Sequence, residues 1–120
     1  MVKVQMKRVY NDAHDDGIRI LVDRVWPRGI SKEKAALDYW EKQVGPTTEL
    51  RKWFNHDPDK FEDFKKKYKQ ELQSGAQKDA LDTIKHIMKE SNQDITLIYA
   101  AKDETYNHVV ILKEILNECI

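Results

Sequence analysis

Apolar and polar residues alternate at the start of the chain, with Val2, Val4 and Met6 set against Lys3, Gln5 and Lys7. A period of two predicts a half-buried strand. Asn11 to Gly17 is polar and rich in turn formers, and Ile18-Arg19-Ile20-Leu21-Val22 then predicts a second strand running directly into Asp23-Arg24. A hairpin between these strands is one expectation, with a connection longer than the tightest hairpin loops. Ser31 predicts the N-cap of a short helix through Lys32 to Ala36, although the capping-box position holds Lys34 instead of Glu. Leu37 and Trp40 are apolar anchors in a charged stretch.

The pattern then changes to helical spacing. Gly45-Pro46 breaks the chain, and Thr47 or Thr48 is placed to cap a helix with Leu50, Trp53 and Phe54 on one apolar face, Trp53 being read as core. Asp57-Pro58 supplies a cap and a first-turn proline for a restart. Phe61, Phe64, Tyr68 and Leu72 continue as a stripe, while Lys65, Lys66, Lys67 and Lys69 read as a solvated face, and Gly75 is expected to end the helix. A further helix is predicted over Lys78 to Glu90, with Leu81, Ile84, Ile87 and Met88 inward. Ile95 to Ala101 is almost continuously apolar, as befits a strand covered on both faces. The last helix is expected from about Tyr106 to Glu118.

This order predicts an α/β fold in which a small, mainly parallel sheet is flanked by helices, as a single layered domain over residues 1–120. In such sheets ligands gather where loops leave the carboxyl ends of strands. Asp23 to Gly29 and Ala101 to Asn107 are the two loops so placed.

Composition refines the picture. The 21 basic and 21 acidic side chains cancel, which removes the broad positive field that usually accompanies nonspecific nucleic-acid binding. All five arginines (Arg8, Arg19, Arg24, Arg28, Arg51) fall in the first 51 residues, and every later Arg or Lys position holds lysine. Cys119 is the only cysteine, so no internal disulfide can form, and it reads as a small packing residue. No signal-peptide pattern and no bilayer-length apolar run is present, so a cytoplasmic location is expected.

In the first loop, Arg24 and Arg28 could clamp a phosphate or carboxylate beside Asp23, with Trp26 as a stacking face. The structural alternative pairs Asp23 with an arginine, uses Trp26 as a core plug and makes Pro27-Arg28-Gly29 a turn. Arg51 could border the same place. His56-Asp57 offers an imidazole beside a carboxylate, but Asp57 is already accounted for as a helix cap. In the second loop, Lys102 and Asn107 are candidate ligand contacts at a helix start, where free amides favour an anion. Asp103 and His108 are further proton-handling candidates, although Asp103 or Thr105 could serve as the cap. Tyr99 reads as core. There is no glycine-rich phosphate loop, no nucleophile elbow and no zinc-type histidine spacing, so neither a metal nor a cofactor is expected.

Four separated motifs resemble the YeaO-like family, domain of unknown function 488. They are Ile20 to Gly29 followed by Ser31-Lys32, Thr48 to Phe54, His56-Asp57-Pro58, and Leu97 to Asp103 with Asn107-His108 and Leu112-Lys113. Position 25 holds Val where the family pattern leads one to expect Leu. The resemblance implies a compact bacterial-type cytoplasmic protein and supplies no catalytic residues. The expectation is therefore an anionic small-molecule site at the strand-end loops, with or without catalysis. The alternatives are a nucleic-acid-binding module and a partner-binding domain presenting aromatics such as Tyr10 or Trp40.

Overall fold

The computed structural model describes residues 3–13 and 15–119. Val2, the first apolar position of the expected N-terminal strand, lies outside them. Four strands form one sheet: β1 (Val4–Arg8), β2 (Ile18–Leu21), β3 (Tyr39–Trp40) and β4 (Ile95–Tyr99), in the spatial order β1-β4-β2-β3. Every pairing is parallel, with Val4 and Ile18 both opposite Ile95, and Ile20 opposite Tyr39.

The hairpin expected between β1 and β2 does not form, because β4 lies between them. The cause is visible in β4 itself. All five of its residues are buried, and a strand apolar on both faces is stable only with a neighbour on each edge and cover above and below. Residues 9–13 and 15–17 instead lie between β1 and the start of β2. They are held by Thr96, whose hydroxyl donates to the Asp16 carbonyl at 2.6 Å, and by the Asp16 carboxylate, which pairs with Lys7 and Arg19. Arg19 is only 4% exposed and also donates to the Ala35 carbonyl through Nε and Nη2. A buried guanidinium is tolerated when its donors are met in this way.

Among the described residues five helices surround the sheet: α1 (Lys32–Ala35), α2 (Thr48–Phe54), α3 (Phe61–Glu71), α4 (Gly75–Ser91) and α5 (His108–Glu118). Short 3-10 turns at Lys42–Val44 and Pro58–Lys60 join them. Ser31, Thr47 and Asp57 cap their elements as the sequence predicts, each side chain accepting a backbone N–H. Gly75 opens α4 and does not close α3, which stops at Glu71 with Leu72 as its C-cap.

The larger core lies on the helix-covered face and includes Ile20, Val22, Leu97, Tyr99, Phe64, Tyr68 and the α5 residues Val109, Leu112 and Leu116. Each such fully buried aliphatic side chain contributes about 1.5–3 kcal/mol. A smaller cluster of Val9, Leu21, Ala35 and Ile98 lies apart from it, with Trp26, Ile30 and Leu37 packed against it. Two apolar expectations are corrected. Trp53 is 38% exposed, leaving Leu50 and Phe54 as the buried face of α2, and the ammonium groups of Lys60 and Lys67 sit over its ring. Cys119 is exposed at the end of α5. Among the described residues no helix is long and apolar enough to cross a membrane.

Candidate functional site

Because the strands are parallel, the carboxyl ends of β1, β2 and β4 share one edge of the sheet, and a cavity of about 720 Å³ opens there. Its walls are the loop from Asp23 to Arg28, the turn Gly45-Pro46, one side of α2 through Asn55-His56, and Ala100, Ala101, Lys102, Asn107 and His108.

The first loop is fixed from several sides. Arg24 donates to the carbonyls of Gly45 and Pro46 at 2.8–3.1 Å, tying this loop to the entry of α2. The approach is close: a Cβ on Gly45 would lie 3.2 Å from Arg24 Cγ and 3.4 Å from the Val22 oxygen. Trp26 donates through Nε1 to the Ile30 carbonyl and packs edge-on against Trp40, whose own Nε1 donates to the Asp23 carbonyl. Tyr10, just beyond β1, donates to the Arg28 carbonyl. Arg8 clamps the carbonyls of Ala100 and Ala101 from the β1 side.

At the floor lie Asp23 and His108. Asp23 Oδ2 accepts the Ala100 N–H at 2.9 Å, and Oδ1 lies 3.7 Å from His108 Nε2. His108 Nε2 is 3.1 Å from the Val22 carbonyl. A carbonyl can only accept, so that nitrogen carries the proton and Nδ1 does not when the ring is neutral. Burial pushes the Asp23 carboxyl above its ordinary value, opposed by His108, the Ala100 amide and Arg51. Burial likewise lowers His108, opposed by Asp23 and the Val22 contact. Burial thus favours the neutral imidazole.

This gives a pH dependence. A lowered folded pKa means that the unfolded chain binds more protons just below the ordinary value of 6.5. Stability contributed by His108 is therefore complete above 6.5 and lost as the pH falls through the window beneath it. Asp23 acts with the opposite sign, its raised pKa favouring the fold as it protonates at lower pH. Denaturant unfolding from pH 7.5 down to 5 should show the decline, and His108→Gln, which can still donate to Val22, should flatten it. An unchanged slope in that variant would remove His108 as the cause.

The sequence candidates divide as follows. Asp23, Arg24, Trp26, Arg28, His56, Lys102, Asn107 and His108 all line the one cavity. Asp103 does not; its Oδ1 accepts the Thr105 and Tyr106 amides, which hold its carboxyl below the ordinary value. Asn107 is the cap of α5, 3% exposed, its Oδ1 accepting from Val109 and Val110 and its Nδ2 donating to the Asp103 carbonyl. The helix therefore begins at His108, two residues later than the pattern suggested, and those amides are satisfied within the chain. His56 follows Asn55 in left-handed backbone (φ 54° and 46°) and is exposed, while Asp57 is engaged as a cap.

Lys52, Thr48 and Asn55 also line the cavity and were missed. Lys52 carried one usable signal, its place next to Arg51 on a helix that packs against the strand-end loops. Among the described residues Arg28, Arg51, Lys52 and Lys102 make no side-chain hydrogen bond or ion pair, and all four are exposed at the rim. No group of three or more His, Cys, Asp or Glu among the described residues is placed to hold a metal ion.

Residues 3–120 match the model of a family described as the inactive DUF488-N3 subclade. The chain is 43% identical over 114 residues to the uncharacterized protein YeaO of Escherichia coli strain K12, covering 94% of this chain and 96% of that protein. The chain belongs to the YeaO-like DUF488 family. It is also 37% identical over 116 residues to uncharacterized family members from Mycobacterium bovis and Mycobacterium tuberculosis, covering 96% of this chain and 94% of each of theirs. No solved structure matches it. Within the YeaO-like chain the cavity draws on each of the four motifs that carried the resemblance, through Arg24, Arg51, His56 and Lys102.

Proposed function

We propose that this YeaO-like protein binds a small anionic molecule, phosphate- or carboxylate-bearing, in the strand-end cavity. The observation that carries the reading is the sign of the lining. On a chain whose charges cancel, the cavity collects Arg24, Arg28, Arg51, Lys52 and Lys102 against the single carboxylate of Asp23. Like charges gathered in a concave, low-dielectric setting focus the potential and raise the local concentration of anions. Four of the five make no side-chain hydrogen bond or ion pair among the described residues, and guanidinium forks suit phosphate or carboxylate geometry.

Binding without turnover is favoured over catalysis. The family is described as an inactive subclade, and His108, the buried imidazole, already spends its proton on a backbone carbonyl. A concave cavity on a neutral protein also fits a small molecule better than a nucleic-acid backbone, which calls for an extended basic surface. Titration with inorganic pyrophosphate, followed by thermal unfolding at low salt, tests the reading. The midpoint should rise with ligand by mass action and the apparent affinity should weaken as salt increases. No shift up to tens of millimolar pyrophosphate at low salt, an upper range of about 100-fold over a sub-millimolar Kd, would end the proposal.

A further inference from the structure

The cavity is divided along its depth. Exposed cations, Arg28, Arg51, Lys52 and Lys102, stand at the rim. The inner part is lined by Ala100, the Phe54 and Phe64 rings, His108 and the half-buried Asp23. A carboxylate inside an otherwise cationic cavity works against an anion and is costly to desolvate. Its surroundings do not fully repay that cost. Oδ2 receives the Ala100 amide, but among the described residues Oδ1 accepts no hydrogen bond. The neighbouring His108 proton goes to Val22 and not to Asp23. One strong acceptor on a cavity-lining side chain is thus left without a hydrogen bond among the described residues.

We propose, building on the anion-binding reading, that the ligand is two-ended: a phosphate held by the rim cations and a sugar-like or amino group that donates to Asp23 Oδ1. A nucleoside monophosphate is the class that fits. About 720 Å³ is far more than an inorganic phosphate fills and lies within the roughly 300–1,000 Å³ range of sites for drug-sized organic ligands. Trp26, Tyr10 and Phe54 are also among the lining residues, so aromatic surface lies between the two ends for a planar base. Ribose hydroxyls and exocyclic amines are the donors that a lone carboxylate oxygen recognises, as a carboxylate does for ribose in dinucleotide sites.

Asp23→Asn discriminates. The amide oxygen can still accept from Ala100, so the fold is expected to persist, while the amide nitrogen turns the open acceptor into a donor. Calorimetric titrations of the wild-type chain and this variant with adenosine monophosphate and with inorganic pyrophosphate should give opposite responses. Adenosine monophosphate should bind the wild type more tightly than pyrophosphate does, and should weaken about 10- to 100-fold in Asp23→Asn, the loss of a hydrogen bond to a charged group. Pyrophosphate should bind the variant more tightly, because a negative charge has gone. If both ligands tighten alike in the variant, or if the wild type takes pyrophosphate as well as the nucleotide, the two-ended ligand is overturned and simple anion binding stands. If neither ligand binds the wild type, both readings fall. Guanosine, cytidine and uridine monophosphates in the same assay separate recognition of the sugar from recognition of the base: equal affinities place Asp23 on ribose, and a loss in Asp23→Asn confined to amino-bearing bases places it on the exocyclic amine.

Discussion

Gly17→Ala should lower the stability of this protein by about 3 kcal/mol or more, the class of effect that steric conflict at a special backbone position produces. Gly17 has φ +68°, and a Cβ there would lie 2.2 Å from the Asp94 carbonyl oxygen and 2.9 Å from its carbon. Both atoms are backbone and cannot swing aside. The same Asp94 oxygen accepts the Ile18 amide at 2.9 Å, the bond that seats the start of β2 beside β4. A methyl group therefore pushes apart the two strands at the centre of the sheet. Gly75 is the control. It too has positive φ (+67°) but nothing within 4 Å of a built Cβ, so Gly75→Ala reports backbone strain alone, about 1 kcal/mol. Unfolding free energies of the two variants from denaturant titration should differ by at least the balance, about 2 kcal/mol. Equal free energies would show that the contact at Asp94 relaxes freely and that the seating of β2 is not a tight constraint.

The second large effect concerns binding. Arg28→Ala combined with Arg51→Ala should cut affinity for pyrophosphate about 100-fold or more, on the basis of roughly 1.5–3 kcal/mol for each charge-assisted hydrogen bond lost. Neither guanidinium makes a side-chain hydrogen bond or close ion pair among the described residues and both are exposed, so the unfolding midpoint without ligand should change little. Arg24 should behave differently. Its guanidinium holds the Gly45 and Pro46 carbonyls, so Arg24→Ala should lower stability as well as binding. Calorimetry and thermal unfolding on both variants separate the roles. Undiminished pyrophosphate binding in the double variant would place the anion elsewhere.

Much of the architecture could be read from residue order. The apolar run at Ile95 to Ala101 pointed to a strand buried on both faces, and Asp57-Pro58, Thr47 and Ser31 marked their elements. The strand-end loops followed from topology alone, and the structure lines one cavity with most of the residues singled out beforehand. What escaped was long-range. The pattern of β1 and β2 is equally compatible with a hairpin and with two parallel strands, because pairing depends on a partner more than seventy residues away, as Ile18 opposite Ile95 shows. The five arginines illustrate the same limit. Composition placed them in one half of the chain, yet only contacts divide them into Arg8, Arg19 and Arg24, which donate to backbone carbonyls, and Arg28 and Arg51, which make no side-chain hydrogen bond among the described residues. Trp53 misled because its spacing from Leu50 fits the buried face of α2, whereas the adjacent Phe54 fills that space by stacking on Phe64.

The strand order β1-β4-β2-β3 also sets a schedule for synthesis. As the chain leaves the ribosome, β1 and β2 appear first, but each has β4 as its main partner, and β2 meets β3 over only two residue pairs. Until Ile95 to Tyr99 emerge, nearly all of the early apolar strands wait without a ladder, and the sheet then closes around its last-made member. Such late, non-local closure makes folding slow relative to a helical bundle of similar size and leaves the nascent chain sticky for most of its length. The cavity, whose floor is joined by the Asp23 to Ala100 bond, comes into being only in that final step.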